Sequence, residues 1–98
     1  MDIKITHDLK NHKFIATVDD IECYLNYSLP RKNVIDLYST YVPAELRGRG
    51  IAAHLVEAGL KYAKKNSLQV IPSCSYVDVY IHRHEKYLKL LDPDQMKG

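Results

Sequence analysis

The spacing of apolar residues first changes period along this chain at Pro43. Before it, apolar side chains recur at every second position: Ile3 and Ile5, then Phe14, Ala16 and Val18, then Ile21, Cys23, Leu25 and Tyr27. After it they fall three and four apart, at Ile51, Ala52, Leu55, Gly59, Leu60 and Ala63. A strand repeats its faces every two residues and a helix every 3.6, so the chain must lay down strands first and then a helix. The joint is Ala44-Glu45-Leu46-Arg47-Gly48-Arg49-Gly50, a basic loop containing glycine.

The strand region is punctuated by Asn11-His12-Lys13, by Asp19-Asp20 and by a turn expected over Pro30 to Asn33, which predicts a meander of hairpins. Cys23 shares the apolar face of its strand and reads as a small core residue. Val34 to Val42, β-branched and aromatic, is a further strand ended by Pro43, which cannot donate to a ladder. The helix is expected from Ile51 to Lys65, with Glu57 and Lys61 paired at i, i+4 and lysines in its last turn. Asn66-Ser67 ends it, and Leu68 to Ile71 is a short apolar strand closed by Pro72. Strand, helix, strand implies a right-handed crossover and a parallel pair. Ser75 with Asp78 resembles a capping box, so a second helix is expected near Tyr76, with Val77, Tyr80, Ile81 and His84 on one stripe.

With 98 residues there is room for one core, expected over 1–91, with 92–98 as a flexible tail. A two-half dinucleotide-binding sheet does not fit. No apolar run approaches the roughly 20 residues of a membrane helix, and the first residues lack a signal-peptide core, so a soluble, cytoplasmic protein without a membrane partner is expected. Cys23 and Cys74 lack metal-ligand spacing and read as reduced thiols. Residues 31–65 hold seven basic side chains against three acidic ones, whereas the remainder holds seven against nine. The excess is too local for a nucleic-acid-binding face and suits a single anion site.

That site is legible in the joint. Backbone N–H groups at a helix start point outward unpaired, and the dipole favours an anion there. Gly48 and Gly50 let a phosphate approach the backbone, and Arg47 and Arg49 add charge-assisted contacts. The P-loop pattern is absent, because Ile51 and Ala52 follow Gly50. Gly48-x-Gly50-x-x-Ala53 mimics a dinucleotide fingerprint, but no acid follows Leu68 to Ile71 to take a ribose.

The run Tyr41 to Val56 resembles motif A of the GNAT superfamily of N-acetyltransferases, whose signature [QR]-x-x-G-x-[GA] is met by Arg47, Gly50 and Ala52. The strand ending at Val42-Pro43 and the helix positions Leu55, Ala58 and Leu60 agree. So does the order of elements over most of the chain. More narrowly, it is similar to a small single-domain GNAT-like group carrying an Ile-Pro-Ser-Cys-Ser-Tyr segment, here Ile71 to Tyr76. The resemblance implies a minimal α+β (α/β) fold: a mostly antiparallel N-terminal sheet, with a splayed parallel strand pair around the motif helix.

It also implies a site for acetyl-CoA between the splayed strands, with coenzyme A as the carrier. Backbone groups at Tyr41 and Val42 would pair with the pantetheine arm. The amides of Arg47, Gly48, Arg49, Gly50, Ile51 and Ala52 would hold the diphosphate, and an N–H near Tyr41 would meet the oxyanion. Cys74, at the mouth of the second helix, is the candidate for carrying the acetyl group or a proton. Tyr80 is the preferred thiolate-protonating acid, ahead of Tyr76 and Tyr87. His82 and His84 lie about 200° apart on a helix and cannot share a metal. One of them, or His54 on the motif helix, would at most touch phosphate.

GNAT domains usually have two helices after the first strand and a C-terminal strand pair walling the acceptor site. Neither is expected here, so the acceptor site is open or completed by a partner. The function expected is acetyl transfer from acetyl-CoA to an amine, of a protein for choice. The alternative is a non-catalytic acyl-CoA sensor or docking module.

Overall fold

The alternation before Pro43 folds as four strands, β1 (Ile5–Asp8), β2 (Lys13–Val18), β3 (Ile21–Arg31) and β4 (Val34–Tyr41), in a computed structural model that describes residues 3–93. Each pairs antiparallel with the next. The turns use residues that tolerate left-handed backbone: Asp19 and Asp20 both have positive φ between β2 and β3, as does Asn33 between β3 and β4. The turn expected over Pro30 to Asn33 is shorter than that, with only Lys32 and Asn33 outside the strands. β3 continues through Pro30 and Arg31, where its register with β4 shifts. Such an irregularity accommodates a residue that has no N–H.

A second irregularity bears on the site. Asn26 lies opposite Ser39 but Tyr27 lies opposite Leu37, so Tyr38 is an extra residue on β4. This bulge changes the parity of the strand. Leu37 is buried; three residues on, Thr40 stands opposite buried Leu25 and therefore on the same face of the sheet.

After the basic loop comes α1 (Ile51–Lys65), with the boundaries its periodicity predicts, then β5 (Gln69–Ile71) and α2 (Ser75–Arg83). β5 pairs parallel with β4, which completes a mixed sheet in the order β1-β2-β3-β4-β5. The expected α+β fold with one parallel pair is the one observed. α1 crosses one face of the sheet and buries Leu55, Val56, Leu60 and Ala63 against Phe14, Ala16, Leu25 and Leu37. At Gly59 the approach is close: a Cβ there would lie 3.1 Å from Leu25 Cδ2 and 3.4 Å from Leu37 Cδ2.

Two expectations at the C-terminal end are corrected. The capping box does not form, since Cys74 is the N-cap of α2 and no side chain caps the helix. The chain also remains packed past residue 91. A 3-10 segment, Glu85–Leu90, buries Tyr87, and Leu91 bridges in parallel to Val70. Asp92, expected in the tail, is only 1% exposed. Its N–H donates to the Val70 carbonyl at 2.9 Å, and its carboxylate accepts from Arg31 Nη2 at 2.7 Å. The rest of the expected tail from residue 94 lies outside the described residues.

Candidate functional site

β4 and β5 pair only from Val34↔Gln69 to Asp36↔Ile71. Past that point the N–H of Cys74 still donates to the Leu37 carbonyl at 3.0 Å. β4 then runs on to Tyr41 with no strand beside it on that side among the described residues. The parting opens a cleft of about 550 Å³, a size typical of small-molecule sites. Thr40, Tyr41 and Val42 form one wall, and Cys74, Ser75 and Tyr76 contribute a second. Arg47, Gly48, Gly50 and Ala52 line it from the loop, with buried Leu46 and Ile51. The one residue expected at the cofactor that does not line this cleft is Arg49. It pairs instead with Asp19 at 3.1 Å, an exposed contact of little energetic weight.

The loop reaches this position through local chemistry. Ala44–Leu46 makes a 3-10 turn that seats Leu46 in the core, and Arg47 Nε donates to the Val42 carbonyl at 3.1 Å. Gly48 and Gly50 have φ of +84° and +77°, and a Cβ on either would meet no protein atom within 4 Å. The space that side chains would occupy is left open beside the cleft. Gly50 is the N-cap of α1 and no side chain satisfies the first-turn N–H groups. A row of free N–H donors, two glycines without Cβ and a guanidinium make a cradle with the chemistry to hold a phosphate-bearing anion.

Cys74, a free thiol, stands on the opposite wall. Its thiol lies 3.4 Å from Thr40 Oγ1, across the seam between the parting strands. Burial alone pushes this thiol up. The Thr40 hydroxyl and the backbone of Val77, Tyr76 and Thr40 outweigh it, and the net shift is downward, toward thiolate. Thr40 was not foreseen as a site residue, because simple alternation along β4 does not reveal which face it takes after the bulge.

A family profile described as GCN5-related N-acetyl-transferase matches residues 13–90, which includes every wall of this cleft. The chain belongs to the GCN5-related N-acetyltransferase family. It is 33% identical over 95 residues to protein NATD1 of Gallus gallus, covering 93% of this chain and 86% of that protein. With protein NATD1 of Homo sapiens it shares 32% identity over 95 residues, covering 93% and 84%. The fold matches the NMR solution structure of a GCN5-like protein from Staphylococcus aureus with a TM-score of 0.71, covering 97% of this chain and 96% of that one at 24% identity. Membership in the family implies an acyltransferase with an acyl-CoA donor and an amine acceptor.

The tyrosine expected to serve as the acid is placed elsewhere. Tyr80 donates to Glu57 Oε2 at 2.6 Å and, with Ala53, His54 and Glu57, lines a separate recess of about 130 Å³. Burial first, and then the Glu57 carboxylate, push its phenol upward. Tyr80 also stacks on His84 at 3.9 Å, and Tyr87 is buried behind it. His84 and His82 bond through Nδ1 to the carbonyls of Tyr80 and Asp78, each at 2.8 Å. Of the tyrosines considered on this side of the fold, Tyr76 is the one in the cleft.

Proposed function

We propose that this N-acetyltransferase takes the acetyl group from acetyl-CoA and passes it to an amine through Cys74. One observation carries the reading: the glycine loop at the head of α1 and the Cys74 thiol line the same cleft where β4 and β5 part. The N–H groups from Gly48 to Ala52, with the Arg47 guanidinium, suit the diphosphate, and the open edge of the chain at Tyr41, the end of β4, and Val42 just past it suits the amides of the pantetheine arm. Cys74, drawn toward thiolate by Thr40 and the first turn of α2, attacks the acetyl carbon. Its S–C bond forms, the C–S bond to coenzyme A breaks, and coenzyme A leaves as a thiolate. A backbone N–H near Tyr41 steadies the oxyanion formed on the way. Tyr41 and Tyr76, each a little under half exposed at the cleft, leave the acceptor side open enough for an amine on a protein. A reduced Cys74 fits a cytoplasmic setting.

Calorimetric titration with acetyl-CoA and with dephospho-CoA, combined with intact-mass measurement, tests this. One-to-one binding is expected, with a mass gain of one acetyl group that is lost in Cys74→Ala while affinity is little changed. Binding with no acetyl on Cys74 and no acetylated amine would leave only an acyl-CoA sensor. No binding at millimolar ligand would remove the reading altogether.

A further inference from the structure

The cleft is supplied with donors. Its lining includes the Arg47 guanidinium, the hydroxyls of Thr40 and Ser75, and the phenols of Tyr41 and Tyr76, alongside the N-terminal turns of α1 and α2. A guanidinium donates and cannot accept. No carboxylate is among the described residues that line the cleft: Glu45, beside Leu46 in the loop, and Asp36, opposite Ile71 on β4, both stand outside it, and three others are engaged elsewhere. Glu57 holds Tyr80 and Lys61, Asp19 holds Arg49, and Asp78 faces His82. The anion this lining can offer is the Cys74 thiolate.

That charge disappears in the first step of the relay described under the proposed function, on which this inference rests. Once the sulfur carries the acetyl group it can no longer take a proton from an incoming ammonium. The N-terminus of α2, directly behind it, adds a positive field that disfavours a cation.

We propose that the acceptor is a weakly basic amine that arrives uncharged, the α-amino group at a polypeptide N-terminus, in preference to a lysine ε-amine. The nitrogen lone pair attacks the acetyl carbon, the C–N bond forms, and the S–C bond breaks with its electron pair returning to Cys74. The extra proton on nitrogen passes to water, leaving an amide and the regenerated thiolate. α-Amino groups titrate near 7.7–8.0 and lysine near 10.4, so at pH 7.5 about a third of the former and about a thousandth of the latter are free base. The rings of Tyr41 and Tyr76 at the cleft offer flat faces against which the first side chain of such a polypeptide lies.

The test gives the 98-residue chain acetyl-CoA and one of two peptides. One is lysine-free with a free N-terminus; the other has the same sequence with a blocked N-terminus and one central lysine. Coenzyme A release, product mass and the mass of the protein are followed from about pH 6 to about pH 9, which brackets the α-amine titration. Near neutral pH the α-amine peptide is expected to react faster by about tenfold or more, with kcat/KM rising to an inflection at the acceptor's own pKa. A shared inflection for both peptides, set by a protein group, overturns the proposal, as does preference for the lysine peptide. Acetylated peptide without acetyl on Cys74 removes the relay and the inference with it. Acetyl on Cys74 with neither peptide modified overturns the amine-acceptor reading beneath it.

Discussion

Thr40 and Cys74 come together because β4 contains one residue too many. Without the extra Tyr38, strand parity would turn Thr40 away from the face that Leu25 and Leu37 bury. The hydroxyl that helps hold the thiol down is thus a product of a backbone irregularity. In Thr40→Val that donor is gone, the thiol shifts up, and less thiolate is present at neutral pH. A hydrogen bond worth about 1 kcal/mol predicts roughly fivefold slower alkylation of Cys74 by iodoacetamide near neutrality. The difference should vanish at alkaline pH, where both proteins are fully ionised. Cys74 itself was legible from its place between a strand and a helix; Thr40 was not, because a bulge leaves no mark in the residue types of Val34 to Tyr41. Tyr80 shows the opposite failure. Helical spacing puts it on a stripe with Val77 and Ile81, but spacing does not say that its hydroxyl meets Glu57. That contact, and secondarily Lys61, holds the Glu57 carboxyl below the usual range. A depressed folded value stabilises the fold above the unfolded value, and the contribution is lost as pH falls through the folded one. Tyr80→Phe is therefore expected to lower stability by about 1 kcal/mol in urea titrations at neutral pH, with the deficit narrowing in acid. Acetyl transfer should be unchanged, since the side chain lies outside the cleft.

At the level of elements, α1 was the most legible part of the molecule. Its buried positions recur at helical spacing, and Asn66 and Ser67 stop it where a residue with positive φ is required. The loop before it was legible in chemistry and less so in geometry. Alternating arginines and glycines announce an anion site, yet Arg47 turns to Val42 and lines the cleft while Arg49 turns to Asp19. Only the three-dimensional course of the loop separates them. Gly48 and Gly50 are the stricter requirement, because each combines left-handed backbone with open space beside the cleft. Gly50→Ala should lower stability by about 1 kcal/mol from backbone strain. The same substitution is expected to weaken acetyl-CoA binding by about tenfold, equivalent to about 1.4 kcal/mol, because its Cβ points into the space left for phosphate. Thermal melting separates the first effect and calorimetry the second.

For the whole molecule, the α+β class and the parallel pair follow from the change of period at Pro43 and the right-handed crossover rule. The closing of the fold does not. Asp-Pro-Asp after Leu91 has the composition of a frayed end, whereas Asp92 pairs with Arg31 across 61 positions of sequence. No local pattern encodes a contact that distant. The strand order has a further consequence in time. All five strands lie beside their neighbours in the chain and the first four are joined by short turns, so most of the sheet forms by closing short loops, which favours early assembly. The cleft is another matter, for its walls come from residues 40–52 and 74–76 and meet only after the α1 crossover has delivered β5. Acetyl-CoA held in the proposed way would bridge walls that join late, and should act as a latch on the finished molecule. Stopped-flow folding in urea is expected to show saturating ligand slowing unfolding while leaving the refolding rate nearly unchanged; faster refolding would put the cleft in the nucleus.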